Sequence, residues 1–365
     1  MIAYKYKLYK TKNTKHIDNM LREASFVWNH AISLQKRYYR IYGKYIPCAR
    51  LQKHFAKRIK RTYIASSTMQ ELLQRLDISY NRFFKHLAKR PPKYKKYVNF
   101  QSVVYKLDSY SLNGNVLTLR NIKKCYKFSK SRDYEGKIKR IAVKRSSIGD
   151  YYVIITTDAN PKKYTKSHNG ASVGIDFGLK MYLTLSNGEE IFNPQFLKKN
   201  LFKKRKADRK LSMAKKGSNH RKQRRKELNR INESITNSRS DFQWKLAHSL
   251  CKQYDSIFIE DLNLLGMSKL WGRKMGDLSH ASFVEKLKLV ADKYDVIVHK
   301  IDRWYPSSKS CECGYIHNKL KLSDRSWVCP ICGKINDRDL NAAKNILRKG
   351  ISELKSDNKT LDACA

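Results

Sequence analysis

Apolar and lysine residues alternate along Ala3-Tyr4-Lys5-Tyr6-Lys7-Leu8, a period of two that predicts a short strand at the start of the chain. The period then lengthens. Ile17, Met20, Leu21, Ala24, Val27, Trp28, Ala31 and Ile32 recur at helical spacing, and a second stripe runs through Leu72, Leu73, Leu76, Tyr80, Phe83, Phe84 and Leu87. Thr68 and Glu71 have the spacing of a capping box at the start of that second helix, and Pro91-Pro92 closes the helical stretch. From about residue 93 the period returns to two. Asn113-Gly114 between Tyr110-Ser111-Leu112 and Val116-Leu117-Thr118-Leu119 is a hairpin signal, and residues 139–145 and 151–157 make another strand pair around Gly149-Asp150. Residues 93–160 therefore read as an antiparallel β module, followed by a polar linker over 161–170.

The remaining half reads as α/β. Val173-Gly174-Ile175-Asp176 and Met181-Tyr182-Leu183-Thr184-Leu185 are strands joined by a tight turn at Gly178. A basic helical segment runs from about 195 to 250, with Ile231, Ile235, Phe242, Leu246 and Leu250 as its apolar stripe. Residues 256–260 and 296–301 are further strands, and a last helix starts near Asp339 with Ala342, Ala343 and Ile346 on one face. No repeat of 20–50 residues is present.

Charge changes this picture more than any element does. The chain has 365 residues with 78 Lys+Arg against 31 Asp+Glu, a formal net charge of +47 that a polyanion such as nucleic acid would neutralise. An apolar share of 41 % excludes wholesale disorder. No run reaches the ~18 apolar residues of a membrane span, and the opening has no signal-peptide pattern, so the expected compartment is the cytoplasm, on the nucleoid. Between Lys203 and Lys226 lie 13 Lys/Arg and one acid, Asp208. Such a run can contact phosphates, with Lys203, Lys204, Arg205, Arg221, Lys222, Arg224 and Arg225 as candidates, or it can be a solvated loop.

Three acids stand out by position. Asp176 and Glu260 each end an apolar strand, and Asp339 opens a helix. Each alone is compatible with a cap or turn acid. Together, carboxylates at strand ends converge on the edge where α/β sheets bind ligands, and hard divalent ions such as Mg²⁺ demand oxygen donors. Two such ions can activate water and stabilise the leaving oxygen of a phosphodiester. Cys311, Cys313, Cys329 and Cys332 make two knuckles separated by fifteen residues, the pattern of a closed structural zinc site, with free thiols as the alternative. Asp337 pairs by helical spacing with Asn341 and Lys344, a polar set suited to solvent, RNA or a helix cap. His248 and His280 read as core or surface residues.

The order Gly174-Ile175-Asp176-Phe177-Gly178, Asn237-Ser238-Arg239-Ser240-Asp241-Phe242, Ile259-Glu260-Asp261-Leu262-Asn263, Pro306-Ser307-Ser308-Lys309, the four cysteines and Asp337-Arg338-Asp339-Leu340-Asn341-Ala342-Ala343-Lys344-Asn345-Ile346 resembles the TnpB proteins of insertion sequences. These are relatives of type V CRISPR effectors and Fanzor proteins. The resemblance covers essentially the whole chain, most specifically residues 172–348. It departs in two places: the first knuckle is CxC where many relatives have CxxC, and Trp244 stands where His is common.

The resemblance implies an α/β RNase H-like (RuvC) nuclease domain at 171–304 and 336–350, with a zinc-finger insertion, a zinc ribbon, at 305–335. It implies an N-terminal wedge β-barrel at 1–10 and 91–165, interrupted by a helical recognition domain at 11–90, and a tail at 351–365. The implied activity is RNA-guided cleavage of double-stranded DNA beside a short transposon-adjacent motif. The guide RNA would derive from the element's right end, held by a monomer. Carried over by position, Asp176, Glu260 and Asp339 are the catalytic and magnesium-binding triad, with two ions, and the four cysteines hold one zinc. A nuclease-silent guided DNA-binding regulator and a strand-transferring transposase are the rival expectations. Silent relatives lose triad acids, and this chain retains all three.

Overall fold

The computed structural model describes residues 1–262, 272, 276–321 and 324–362, with side chains as far as Ser356. Asn263, which closes one of the motifs above, lies outside the described residues, as does Cys364. The chain divides into two compact units, Met1–Pro161 and Lys162–Ala365.

In the first unit the N-terminal strand and the later β module are one sheet. β1 (Ile2–Leu8) is followed by three helices, α1 (Thr14–Tyr42), α2 (Cys48–Arg58) and α3 (Ser66–Phe84). Six strands come next: β2 (Ser102–Tyr105), β3 (Tyr110–Asn113), β4 (Val116–Leu119), β5 (Lys124–Ser129), β6 (Ile138–Arg145) and β7 (Tyr151–Thr157). The seven strands pair antiparallel in the order β2-β6-β7-β1-β5-β4-β3. The helices are thus an insertion between β1 and the rest of its sheet. β1 buries Tyr4, Tyr6 and Leu8, the alternate positions its period of two selects. α1 buries the apolar stripe from Ile17 to Ile32, and its Glu23 carboxylate accepts the backbone N–H groups of Thr62, Tyr63 and Ile64. Asp18 of α1 accepts from Arg145 and Tyr151 and so ties the helix to β6 and β7.

The second unit is built on a five-stranded sheet ordered β10-β9-β8-β11-β12. β8 (Ser172–Phe177), β9 (Met181–Leu185) and β10 (Glu190–Phe192) form an antiparallel meander, whereas β8, β11 (Ser256–Glu260) and β12 (Ile297–Ile301) run parallel. Alternation along β11 assigns the faces. Ile257 and Ile259 pack with Ala247, Leu250, Phe283 and Leu287 of α5 (Asn219–Gln253) and α6 (His280–Tyr294), while Phe258 packs with Ile346 of α7 (Arg338–Asp362). α7 lies against the sheet backbone: a Cβ on Gly174 would come within 2.1 Å of the Ala343 carbonyl oxygen, and one on Gly350 within 2.0 Å of the Phe258 ring. A small two-stranded ribbon, β13 (Ser326–Val328) and β14 (Ile335–Asp337), precedes α7. No helix among the described residues is long and apolar enough to cross a membrane.

Several expectations need correction. α3 starts at Ser66 with no side-chain cap, so Thr68 lies inside the helix, buried, and Thr68-Glu71 is not a capping box. The helix ends at Phe84 and leaves Leu87 exposed, well before Pro91. α2 and β5 carried too short a pattern to be anticipated. The basic segment is two helices, α4 (Phe196–Met213) and α5, separated by a turn in which Gly217 has φ +87° and Ser218 caps α5 through Arg221 N at 3.1 Å. The expected linker is tied down at Lys166, whose ammonium donates to the carbonyls of Cys251 and Tyr254 and pairs with Asp255 at 2.7 Å.

Candidate active site and nucleic-acid interface

Parallel pairing puts two of the three candidate acids side by side. Ile175 of β8 is in register with Ile259 of β11, so Asp176 and Glu260 follow as neighbours at the carboxyl ends of adjacent strands. Asp339 enters from the first turn of α7, the helix that crosses β8 and β11 through Ala343 and Gly350. The close approach depends on the small, fully buried face of Ala342, Ala343 and Ile346.

The electrostatics of the three groups differ. Burial, then the charges of Glu260 and Asp339, push the Asp176 carboxyl up to about 7, with Arg338 opposing. Burial also raises Glu260, partly offset by a hydrogen bond from the Ser307 hydroxyl to Oε1 at 2.6 Å. Asp339 is held by two guanidinium groups, Arg325 at 3.1 Å and Arg338 at 2.9 Å. Asp261, next to Glu260, pairs with Lys300 and Arg303. A cavity of about 280 Å³ opens beside Glu260, lined in part by Phe177, His280, Val284 and Lys300.

The frame itself explains other motif residues. Arg239 donates to the carbonyl of Gly276 at 2.6 Å. The buried Gln243 amide donates to Tyr182 Oη and Leu278 O while accepting from Lys286. Together they fix the entry to α6, whose first residue, His280, is buried against the Phe177 ring and lowered to about 4 by burial. His248 shares a hydrogen bond with Tyr294 Oη.

The four cysteines do converge. Among the described residues, Cys311, Cys313, Cys329 and Cys332 are the group whose ligand atoms all lie within 4.8 Å of one another. Gly314 (φ +92°) and Gly333 (φ +67°) make the left-handed turns that fold each knuckle back on itself. Asn336 Nδ2 points at Cys311 Sγ, and Trp327 packs beneath Cys311 and Cys329. Burial alone would raise the Cys311 thiol; donors from Cys313 N–H, the other cysteines and Asn336 outweigh it and lower it.

The basic candidates separate into two groups. Arg221 spends its guanidinium on the carbonyls of Leu211 and Ala214, closing the α4–α5 turn. Arg224 pairs with Glu227 at 3.0 Å, Lys204 with Asp208 at 3.9 Å, and Lys222 donates to Asn219. Among the described residues, Lys203, Arg205 and Arg225 are exposed and have no such partner.

Sequence reasoning missed a set of buried polar residues. Asn341, expected to face solvent or RNA, is 7 % exposed and donates to the Ser310 carbonyl at 2.8 Å; Asn345 is 1 % exposed and donates to those of Ser307 and Ser310. Asn341 and Asn345 are four apart in the same motif, a spacing that puts them on one helix face and was the available signal.

A meander of three strands extended by two parallel strands, with acids at the central strand ends, defines the RuvC class of nuclease fold. Comparisons with known proteins agree. A solved Cas12f1–sgRNA–target DNA complex superposes with a TM-score of 0.58 at 15 % identity, covering 92 % of this chain and 83 % of that one. Residues 151–270 match the OrfB_IS605 family, described as a probable transposase, and residues 280–346 match the Cas12f1-like TNB domain. A Streptomyces pristinaespiralis protein named "Putative RNA-guided DNA endonuclease" is 30 % identical over 96 % of this chain and 89 % of its own length. Escherichia coli InsQ, with the same description, is 27 % identical over 89 % and 86 %, and the TnpB-like protein L79 of Acanthamoeba polyphaga mimivirus is 29 % identical over 55 % and 41 %. The chain belongs to the TnpB family of RNA-guided DNA endonucleases.

Proposed function

We propose that this chain is a magnesium-dependent endonuclease of a transposable element that cuts double-stranded DNA, selected by a guide RNA, beside a short transposon-adjacent motif. The observation that carries the reading is the placement of the three acids: Asp176 and Glu260 follow the paired Ile175 and Ile259 on adjacent parallel strands, and Asp339 enters from the first turn of the helix that crosses both strands. An all-oxygen donor set of this kind fits a hard divalent ion. Asp176, Glu260 and Asp339 would hold magnesium, two ions in this reading, which when bound activate water and stabilise the leaving oxygen. The chain's own groups supply the rest. Arg325 and Arg338 steady Asp339, Ser307 steadies Glu260, and Lys203, Arg205 and Arg225 offer charge to a phosphate backbone. Four soft thiolates leave no open position, which suits one structural zinc and no catalytic role.

In this reading 1–10 and 91–165 form a wedge β-barrel interrupted by a helical recognition domain at 11–90. Residues 171–304 and 336–350 form the nuclease domain, 305–335 the zinc ribbon and 351–365 a tail. One monomer carries one guide RNA from the element's right end and acts on DNA at the nucleoid. The test is to purify the protein from cells carrying its locus, sequence the bound RNA and assay a matching target. Magnesium-dependent breaks, lost in Asp176→Ala and Glu260→Ala while guide and target binding persist, are expected. Joined transposon ends would identify strand transfer instead, and target occupancy without cleavage a guided regulator.

A further inference from the structure

Glu260 ends β11 opposite Ile301, the last residue of β12, and the chain beyond β12 folds back over it. Residues 305–310 form a compact turn: Ser307 N–H donates to the Tyr305 carbonyl at 2.8 Å, and Ser310 donates to the Pro306 carbonyl through both its N–H and its hydroxyl. The turn presents Ser307, 5 % exposed, with its Oγ 2.6 Å from Glu260 Oε1. A hydroxyl-to-carboxylate bond of that length is charge-assisted and strong.

What holds the turn is α7. Asn345 Nδ2 donates to Ser307 O at 2.8 Å and Ser310 O at 2.7 Å, and Asn341 Nδ2 donates to Ser310 O at 2.8 Å. These amides are buried, so their donors must find partners, and the partners available are carbonyls of this one turn. The same helix carries Asp339 in its first turn. The residue after Ser310 is Cys311, the first thiol of the cysteine cluster.

We infer that Ser307 is a positioning residue for Glu260, and that Asn341 and Asn345 hold Ser307 in place so that α7 sets two carboxylates of the site at once. Asp339 is carried directly by the helix, and Glu260 is fixed through the turn. A neutral hydroxyl suits the task better than a lysine or arginine would. It occupies one lone pair of Oε1, fixes the rotation of the carboxylate, and adds no positive charge to compete with a metal ion. Asp339, by contrast, faces two guanidiniums.

The inference rests on the proposed reading of Glu260 as a metal ligand, and its test separates the two. Ser307→Thr and Ser307→Val are nearly equal in size and differ in the hydroxyl alone, so any folding penalty of the added methyl is shared. Mn²⁺ binding to the full chain without nucleic acid is measured by electron paramagnetic resonance, with zinc content and thermal melting as controls. Ser307→Thr should bind Mn²⁺ as the parent does, and Ser307→Val should bind roughly 10-fold more weakly or worse, as loss of a supporting hydrogen bond to a metal ligand does. Asn345→Asp, which removes the donors and keeps the shape, should weaken Mn²⁺ binding too. Combined with Ser307→Val it should add little, because both act on one link. Equal Mn²⁺ binding by the Thr and Val proteins, alongside loss in Glu260→Gln, would overturn the role of Ser307 and leave the metal site standing. Unchanged binding in Glu260→Gln would overturn the metal site and the inference together.

Discussion

Asp337 and Asp339 lie two residues apart and do different work. On a helix they would point roughly 200° from each other, which is how the sequence separates them. The structure separates them more simply: Asp337 ends β14, and its Oδ1 accepts the Leu340 N–H at 2.9 Å, capping α7. Asp337→Asn should therefore keep both the cap and cleavage, while Asp337→Ala costs about 1 kcal/mol of stability in chemical denaturation. Asp339→Asn should abolish cleavage of a guide-matched target and spare binding; the opposite ranking in a paired cleavage assay would exchange the two assignments. Asn341 shows how far spacing reaches. The four-residue step to Asn345 marks a shared face, but the Ser310 carbonyl that turns the side chain inward lies 31 residues away and is not announced locally.

Among the elements, the α4–α5 pair and the cysteine knuckles were both legible as compositions but not as geometry. A run of 13 cations predicts phosphate contact without saying which cations are spent on the fold. Replacing Lys203, Arg205 and Arg225 by Gln should reduce the salt slope of duplex binding by about 2.7, or by about 2 for single strands. Arg221→Gln should leave that slope nearly unchanged and instead destabilise the hairpin by about 1–3 kcal/mol, since it strands two carbonyls. Salt titrations and melts of the two proteins distinguish these outcomes. For the knuckles, elemental analysis should find about one zinc per chain, and chelation should speed hydrogen exchange over 311–337 before the rest of the unit opens.

For the whole molecule, two carboxylates set opposite pH limits. Asp255 is held down to about 2, chiefly by the Lys166 ammonium, with His168 and the Gly170 N–H adding. Its folded value is below the ordinary one of 3.8, so its contribution is complete above that pH and is lost as pH falls toward 2. Asp176 is the reverse. Its folded value of about 7 exceeds the ordinary 3.8, so its contribution is present below 3.8 and lost as pH rises through 7. The metal-free protein should therefore lose stability between pH 4 and 8, and Asp176→Asn should flatten that decline. Divalent ions, which bind the ionised carboxylate, should bind more tightly as pH rises through 7. Melting curves across pH, with and without Mg²⁺, check both signs.

The sequence by itself determined the strands that end in Asp176 and Glu260, the buried face of the last helix and the pairing of the cysteines into knuckles. Each is written in local periodicity or short spacing, which neighbours in the chain enforce. It also pointed to a polyanionic partner, because a charge of +47 needs no fold to be read. Periodicity alone did not join β1 to strands more than 90 residues later, since strand pairing between distant segments leaves no local trace; the family resemblance implied that joining, and the tertiary structure supplied the strand order and register. Only the tertiary structure decided which arginines are spent on carbonyls and which remain available. The same holds for Ser307, one of several serines in a polar stretch until β12 and α7 bring it against Glu260. Hydrogen-bond partners are chosen by packing across the sheet, and packing is a property of the whole.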